Sequence, residues 1–178
     1  MNFPSPDPVT DRLRPALPGM LLALCTLLYG FGLGVGFGLN EDAIKSRLKG
    51  SAIAVRDTVY RGDDAAIKAV LEKSWVYMQR AHLHAGGLGA AAVGLILLVV
   101  ALGVSPGVTR ALSLALGAGG LGYSVYWMLA GFRAPGLGGT SAAKESLKWL
   151  AIPSSGLIVL ATVAVAGLVG AAIFRRRN

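Results

Sequence analysis

The chain has 178 residues, of which 54% are hydrophobic and only 15% charged. A soluble domain usually carries about a quarter charged residues, so the composition excludes an ordinary soluble enzyme domain. Net charge is +8, from 17 Lys and Arg against 9 Asp and Glu. The basic residues flank apolar runs, so membrane phospholipids are the expected partners and nucleic acid is not.

Four apolar segments are each long enough to cross a hydrocarbon core of about 30 Å. They cover residues 18–39, 81–104, 107–132 and 150–174. In lipid every backbone polar group must be satisfied internally, so each is expected as a helix. The fold class is an all-α integral membrane protein, a four-transmembrane-helix bundle in a single membrane domain. An amphipathic helical extramembrane segment joins helices 1 and 2.

Residues 1–16 hold Pro4, Pro6, Pro8 and Pro15 with Arg12 and Arg14. They read as a disordered basic tail ahead of span 1, itself an uncleaved anchor. Cys25 is the single cysteine, so no intrachain disulfide and no cysteine zinc site can form. Residues 40–80 form an extramembrane cap. Asn40 can cap a first helix there, with Gly50 and Arg61-Gly62 as breaks. Asp63 or Asp64 can cap a second helix that runs straight into span 2. Ser105-Pro106-Gly107 makes spans 2 and 3 a tight hairpin. Span 4 is expected to open with Pro153 in its first turn and close on Arg175-Arg176-Arg177.

Four spans put both termini on one side. Short clusters nearly free of acids border that side: Arg12, Arg14, Arg110 and Arg175 to Arg177. The positive-inside rule weights such flanks most. The expectation is a bacterial-type cytoplasmic (inner) membrane with both termini cytoplasmic and residues 40–80 opposite. Trp75, Trp127, Trp149, Tyr77, Tyr123 and Tyr126 all fall at the non-terminal end, as an aromatic belt would.

Span 1 carries two interleaved glycine series, Gly30, Gly34, Gly38 and Gly32, Gly36; span 2 adds Gly86 and Gly89. Glycine lets helix backbones touch in lipid, so these are expected at packing seams, within the bundle or between chains.

The chain's two histidines, His82 and His84, open span 2. Two residues apart means about 200° of rotation, so they face opposite ways and cannot share one metal from a regular helix. His82 follows the small stripe of Ala85, Gly86 and Gly89. Met78, one turn earlier, shares its face, and Met128 of span 3 should lie at similar depth. Histidine with methionine suits haem iron or Cu(I), making His82, His84 and Met128 candidate haem b residues and Met78 with His82 a candidate metal pair.

The run Arg80-Ala81-His82-Leu83-His84, with Gly87-Leu88-Gly89 behind it, resembles the helix start of small four-helix bacterial membrane proteins of unassigned function. More distantly it is similar to the haem-ligating helices of haem–copper oxidase catalytic subunits. That resemblance implies His82 or His84 as an axial haem ligand. With two histidines in all, an oxygen-reducing binuclear centre is excluded.

No Asp, Glu, Lys or Arg stands in the middle of any span. That argues against a proton pump or ion-coupled transporter. No nucleophile elbow, P-loop or zinc-protease motif is present. The leading expectation is a non-catalytic integral membrane subunit or assembly partner of a larger electron-transfer complex, meeting other membrane subunits or a second copy of itself. A b-type haem protein for electron transport is the alternative, and a small metal-handling or transport protein the third.

Overall fold

The computed structural model describes residues 8–175, and side chains from 10 to 174. Among them there is no strand. The elements are α1 (Pro8–Leu13), a 3-10 turn (Arg14–Ala16), α2 (Leu17–Ile53), α3 (Asp64–Ala101) and α4 (Pro106–Arg133). A second 3-10 turn (Pro135–Leu137), α5 (Thr140–Glu145) and α6 (Lys148–Arg175) complete the order. Four helices are long and apolar enough to cross a membrane, as the sequence leads one to expect.

The expected N-terminal tail is in part helical, since α1 and the first 3-10 turn occupy 8–16. Its first seven residues, and the expected Arg176 and Arg177 cluster, lie outside the described residues.

Between spans 1 and 2, the backbone of Asn40 leaves helical values (φ −131°, ψ 23°), and two helices meet there across a kink within α2, the second running on to Ile53. Gly50, expected as a break, stays helical. Buried Leu48 and Ala52 on the far half of α2 hold it to α3 through that glycine. At 37 and 38 residues, α2 and α3 each exceed a hydrocarbon core about 30 Å thick. Their overhanging ends form an antiparallel helical hairpin.

Asp63 is the cap of α3, its side chain accepting from the Ala66 N–H at 2.9 Å. The turn before it needs two successive left-handed residues, Arg61 (φ 53°) and Gly62 (φ 79°). Arg56 pins that turn. Its Nε and an Nη donate to the two carboxylate oxygens of Asp64 at 2.9 and 3.0 Å, and the same Nη donates to the Gly62 carbonyl. Tyr60, buried at the tip, donates its hydroxyl to the Pro135 carbonyl at 2.7 Å and ties the hairpin to the α4–α5 link.

α4 is the hub of the bundle. It packs against α2, α3 and α6, while α2 and α3 pack on each other and α6 meets little but α4. Glycines set these approaches. A Cβ at Gly117 would press on Leu22 of α2, and one at Gly19 would fall 2.6 Å from the Leu114 nitrogen. A Cβ at Gly119 would lie 2.9 Å from both the Ser154 oxygen and the Ile158 nitrogen of α6. At Gly131 it would strike Met78 of α3 at 2.6 Å. In lipid such close van der Waals contact is a main source of helix association.

Pro153 stands inside α6, since the helix begins five residues earlier at Lys148 rather than at the proline. Mid-span hydroxyls are satisfied within their own helices: Thr26 donates to Leu22, Ser124 to Gly120 and Thr162 to Ile158, at 2.7–2.8 Å.

The hydrogen bonds and charge of Arg56 hold the Asp64 carboxyl below the usual range. A depressed folded-state value stabilises above the unfolded pKa of about 3.9, and the gain disappears as pH falls through the folded value. Asp64→Asn should therefore speed hydrogen exchange across residues 56–64 at neutral pH. The difference from the parent should close only below the ordinary aspartate range, which exchange followed by mass spectrometry would read.

Candidate functional site at the histidine end of α3

The helical period sends successive odd or even positions to opposite sides, and α3 uses this at its two histidines. His82 turns to α2 and His84 to α4, as their spacing requires. His82 Nδ1 lies 2.8 Å from the Gly30 carbonyl oxygen. A carbonyl only accepts, so Nδ1 carries the proton of this bond, and the tautomer that makes it leaves Nε2 bare. The imidazole fits because Gly34 has no side chain; a Cβ there would lie 2.9 Å from His82 Cε1.

Among the described residues no hydrogen bond reaches Nε2, and His82 borders an open groove of about 460 Å³. Gly34, Gly38, Phe37, Glu41, Trp75 and Gln79 line it with His82. Phe37 and Trp75 pack at 5.2 Å between ring centroids, and the His82 ring stands edge-on to Phe37 at 6.4 Å.

His84 joins a different group. Its ring stacks on Tyr123 at 5.3 Å and meets Trp127 edge-on at 5.9 Å. Trp127 also contacts Tyr77 at 4.8 Å and Tyr126 at 5.2 Å. The Arg80 guanidinium sits 5.3 Å from the Tyr77 ring centre and 5.1 Å from that of Trp127. The sequence places these aromatic residues at one level; their closure around Arg80 and His84 is a tertiary feature it does not carry. Trp127 Nε1 is buried without an acceptor among the described residues.

The two methionines come together, away from the histidine groove. Met78 and Met128 are buried with Leu48 and Ala81 in the core between α2, α3 and α4. Neither lines the groove that His82 borders. The expected grouping of Met78, His82 and Met128 is therefore split between a packed core and an open seam. Among the described residues no group of three or more His, Cys, Asp or Glu side chains is placed to hold a metal ion.

The glycines divide likewise. Gly30 meets Ala85 and the Gly86 backbone, Gly34 meets His82, and Gly89 meets Leu27. These three pack the α2–α3 seam as expected. Beside Gly32, Gly36, Gly38 and Gly86 a Cβ would find nothing within 4 Å. These four do not need glycine to pack against the rest of the described residues. A rotation of 100° per residue carries Gly32 off the face that Gly30 and Gly34 share.

The arrangement defines a helical bundle of four apolar helices with its polar side chains gathered at the hairpin end. No family model, curated protein or solved structure matches the chain.

The His82 bond joins two helices, α2 and α3. Interhelical hydrogen bonds of this kind contribute about 0.6–2 kcal/mol. His82→Ala removes the bond and leaves a gap beside Gly34. It should lower stability by about 1–2 kcal/mol in a denaturant titration of detergent-solubilised protein. Unchanged stability would mean the bond contributes nothing.

Proposed function

We propose that the chain is a multi-pass protein of a bacterial-type cytoplasmic membrane and serves as a non-catalytic subunit or assembly partner of a larger membrane complex. The observation that carries this reading is the outer face of α2. Leu21, Leu24, Leu28, Phe31 and Val35 are all exposed along it, at alternating spacings of three and four residues. Such spacing is that of a helix–helix seam. Lipid alone can cover exposed leucine, but it gives no reason for glycine on the same face. A glycine in a helix costs about 1 kcal/mol relative to alanine. Gly32, where a Cβ would find nothing within 4 Å among the described residues, is accounted for by a neighbouring helix from another subunit or a second copy. That the larger complex is an electron-transfer one rests on the resemblance of the Arg80–Gly89 segment alone.

Gly32→Leu should leave the fold intact, since a Cβ there meets nothing within 4 Å on the neighbouring helices among the described residues. It should still shift the protein from a large assembly to the monomer on a native gel of solubilised membranes. Gly34→Leu, by contrast, drives a side chain into His82 and should cost about 1–3 kcal/mol of stability, the usual penalty for overpacking. An assembly that survives Gly32→Leu unchanged would remove the basis for this reading.

A second reading, a b-type haem protein, rests on His82. A histidine that donates one ring nitrogen to a carbonyl and presents the other is oriented as metal-bound histidines are. Nε2 could serve as one axial ligand, and the glycines of the groove leave room for a flat ring. Met78 and Met128 are not in position to be the other ligand, so only a second chain or an open coordination site completes the sphere. Haem supplied during expression should then give a Soret band whose α and β bands sharpen with dithionite, lost in His82→Ala and kept in His84→Ala. A featureless visible spectrum would reject it.

A further inference from the structure

α3 and α5 enclose a groove of about 550 Å³, separate from that of His82. Lys73, Arg80, Lys144, Tyr77, Thr140 and Glu72 line it. Lys73 and Arg80 are two helical turns apart on α3, and Lys144 comes across from α5. Glu72 is the single acid of the lining. None of the three cations is in an ion pair among the described residues. Arg80 is held in place by its stacking over Tyr77 and Trp127.

A second recess of about 390 Å³ shares Lys144 with the first and adds Tyr126, Ser141 and Lys148. Lys148 there pairs with Glu145 at 2.6 Å. Across both recesses four cations face two acids, leaving an excess of two positive charges. Like charges gathered this way repel unless an anion lies among them. The grooves lie at the level of the tryptophans and tyrosines, where headgroups meet the apolar core. Exposed Val76 lines the first groove between Lys73 and Arg80. An anion that fits brings oxygens for Lys and Arg, a charge of about two, and an apolar body.

We propose that these joined recesses bind the headgroup of one two-phosphate anionic phospholipid, diphosphatidylglycerol. One phosphate lies between Lys73, Arg80 and Lys144, and the other between Lys144 and Lys148. Ser141 and Thr140 can donate their hydroxyls to phosphate oxygens.

The test is native mass spectrometry of the full chain in a neutral maltoside detergent, titrated with tetraoleoyl diphosphatidylglycerol, dioleoyl phosphatidylglycerol or dioleoyl phosphatidylcholine. The expected result is one diphosphatidylglycerol per chain, held about tenfold or more tighter than either other lipid. The double variant Lys73→Gln/Lys144→Gln should lose about tenfold or more of that affinity, with its thermal midpoint unchanged in lipid-free detergent. Lys68→Gln, an exposed lysine of α3 outside the groove, should lose none. Inorganic phosphate at millimolar concentration should not displace the lipid. Equal binding of phosphatidylcholine, an equal loss in Lys68→Gln, or no loss in the double variant would overturn the site. Equal binding of phosphatidylglycerol would overturn the two-phosphate assignment, and displacement by free phosphate the lipid assignment.

Discussion

The close approach of backbones at the glycines of α4 is the constraint on which the other contacts depend. Three neighbours meet this helix, and each meets it where a side chain is missing: α2 at Gly117, α6 at Gly119, α3 at Gly131. Between helices that all present aliphatic surface, in lipid the hydrophobic effect would not choose a partner, because lipid tails would serve as well. What chooses is the number of atoms that can come into van der Waals range, and that number rises when backbones touch. With α4 fixed on three sides, the register of α3 follows. That register puts His82 opposite the Gly30 carbonyl and Arg80 beside Trp127. The polar contacts are thus consequences of the glycine contacts and lock a register already chosen.

α2 shows how one helix can serve two neighbours. Gly30 and Gly34 turn inward and let α3 and its histidine come close. Leu28 and Gly32 turn outward, with Leu28 68% exposed. Because α2 does not stop at Asn40, the inward face continues to Leu48 and Ala52 and carries the contact with α3 beyond the apolar windows. The hairpin so formed is anchored at its tip by Tyr60 on Pro135 and by Arg56 on Asp64. A polar anchor suits that end, where the apolar length of the helices has run out.

Local signals in the sequence carry much of this. Periodicity and length locate the four long helices, Asp63 announces the start of α3, and the two-residue spacing of His82 and His84 requires opposite faces. What local signals lack is the identity of the neighbour at each angle. Asn40 marks a real kink, whereas Gly50 looks like a break because nothing nearby in sequence shows that Leu48 and Ala52 will be buried on α3. Met78 and His82 look like a pair because they share a turn of helix. Yet the core takes the thioether, and the α2–α3 seam takes the imidazole. Gly32 and Gly34 look alike in the sequence and differ only in what stands beside them. Lys144 is more than sixty residues from Arg80, so their shared groove is a product of tertiary structure alone.

The distribution of chemistry along the helices narrows what such a molecule can do. In the middle of the apolar windows the hydroxyls of Thr26, Ser124 and Thr162 are bonded to carbonyls one turn back. The histidines, the free lysines, Arg80 and the aromatic cluster stand instead at one end, where apolar helix gives way to hairpin. The side chains able to meet a headgroup or a neighbouring helix are thus at one level and on one face, the cations beside the aromatic cluster and the open α2 surface at Gly32.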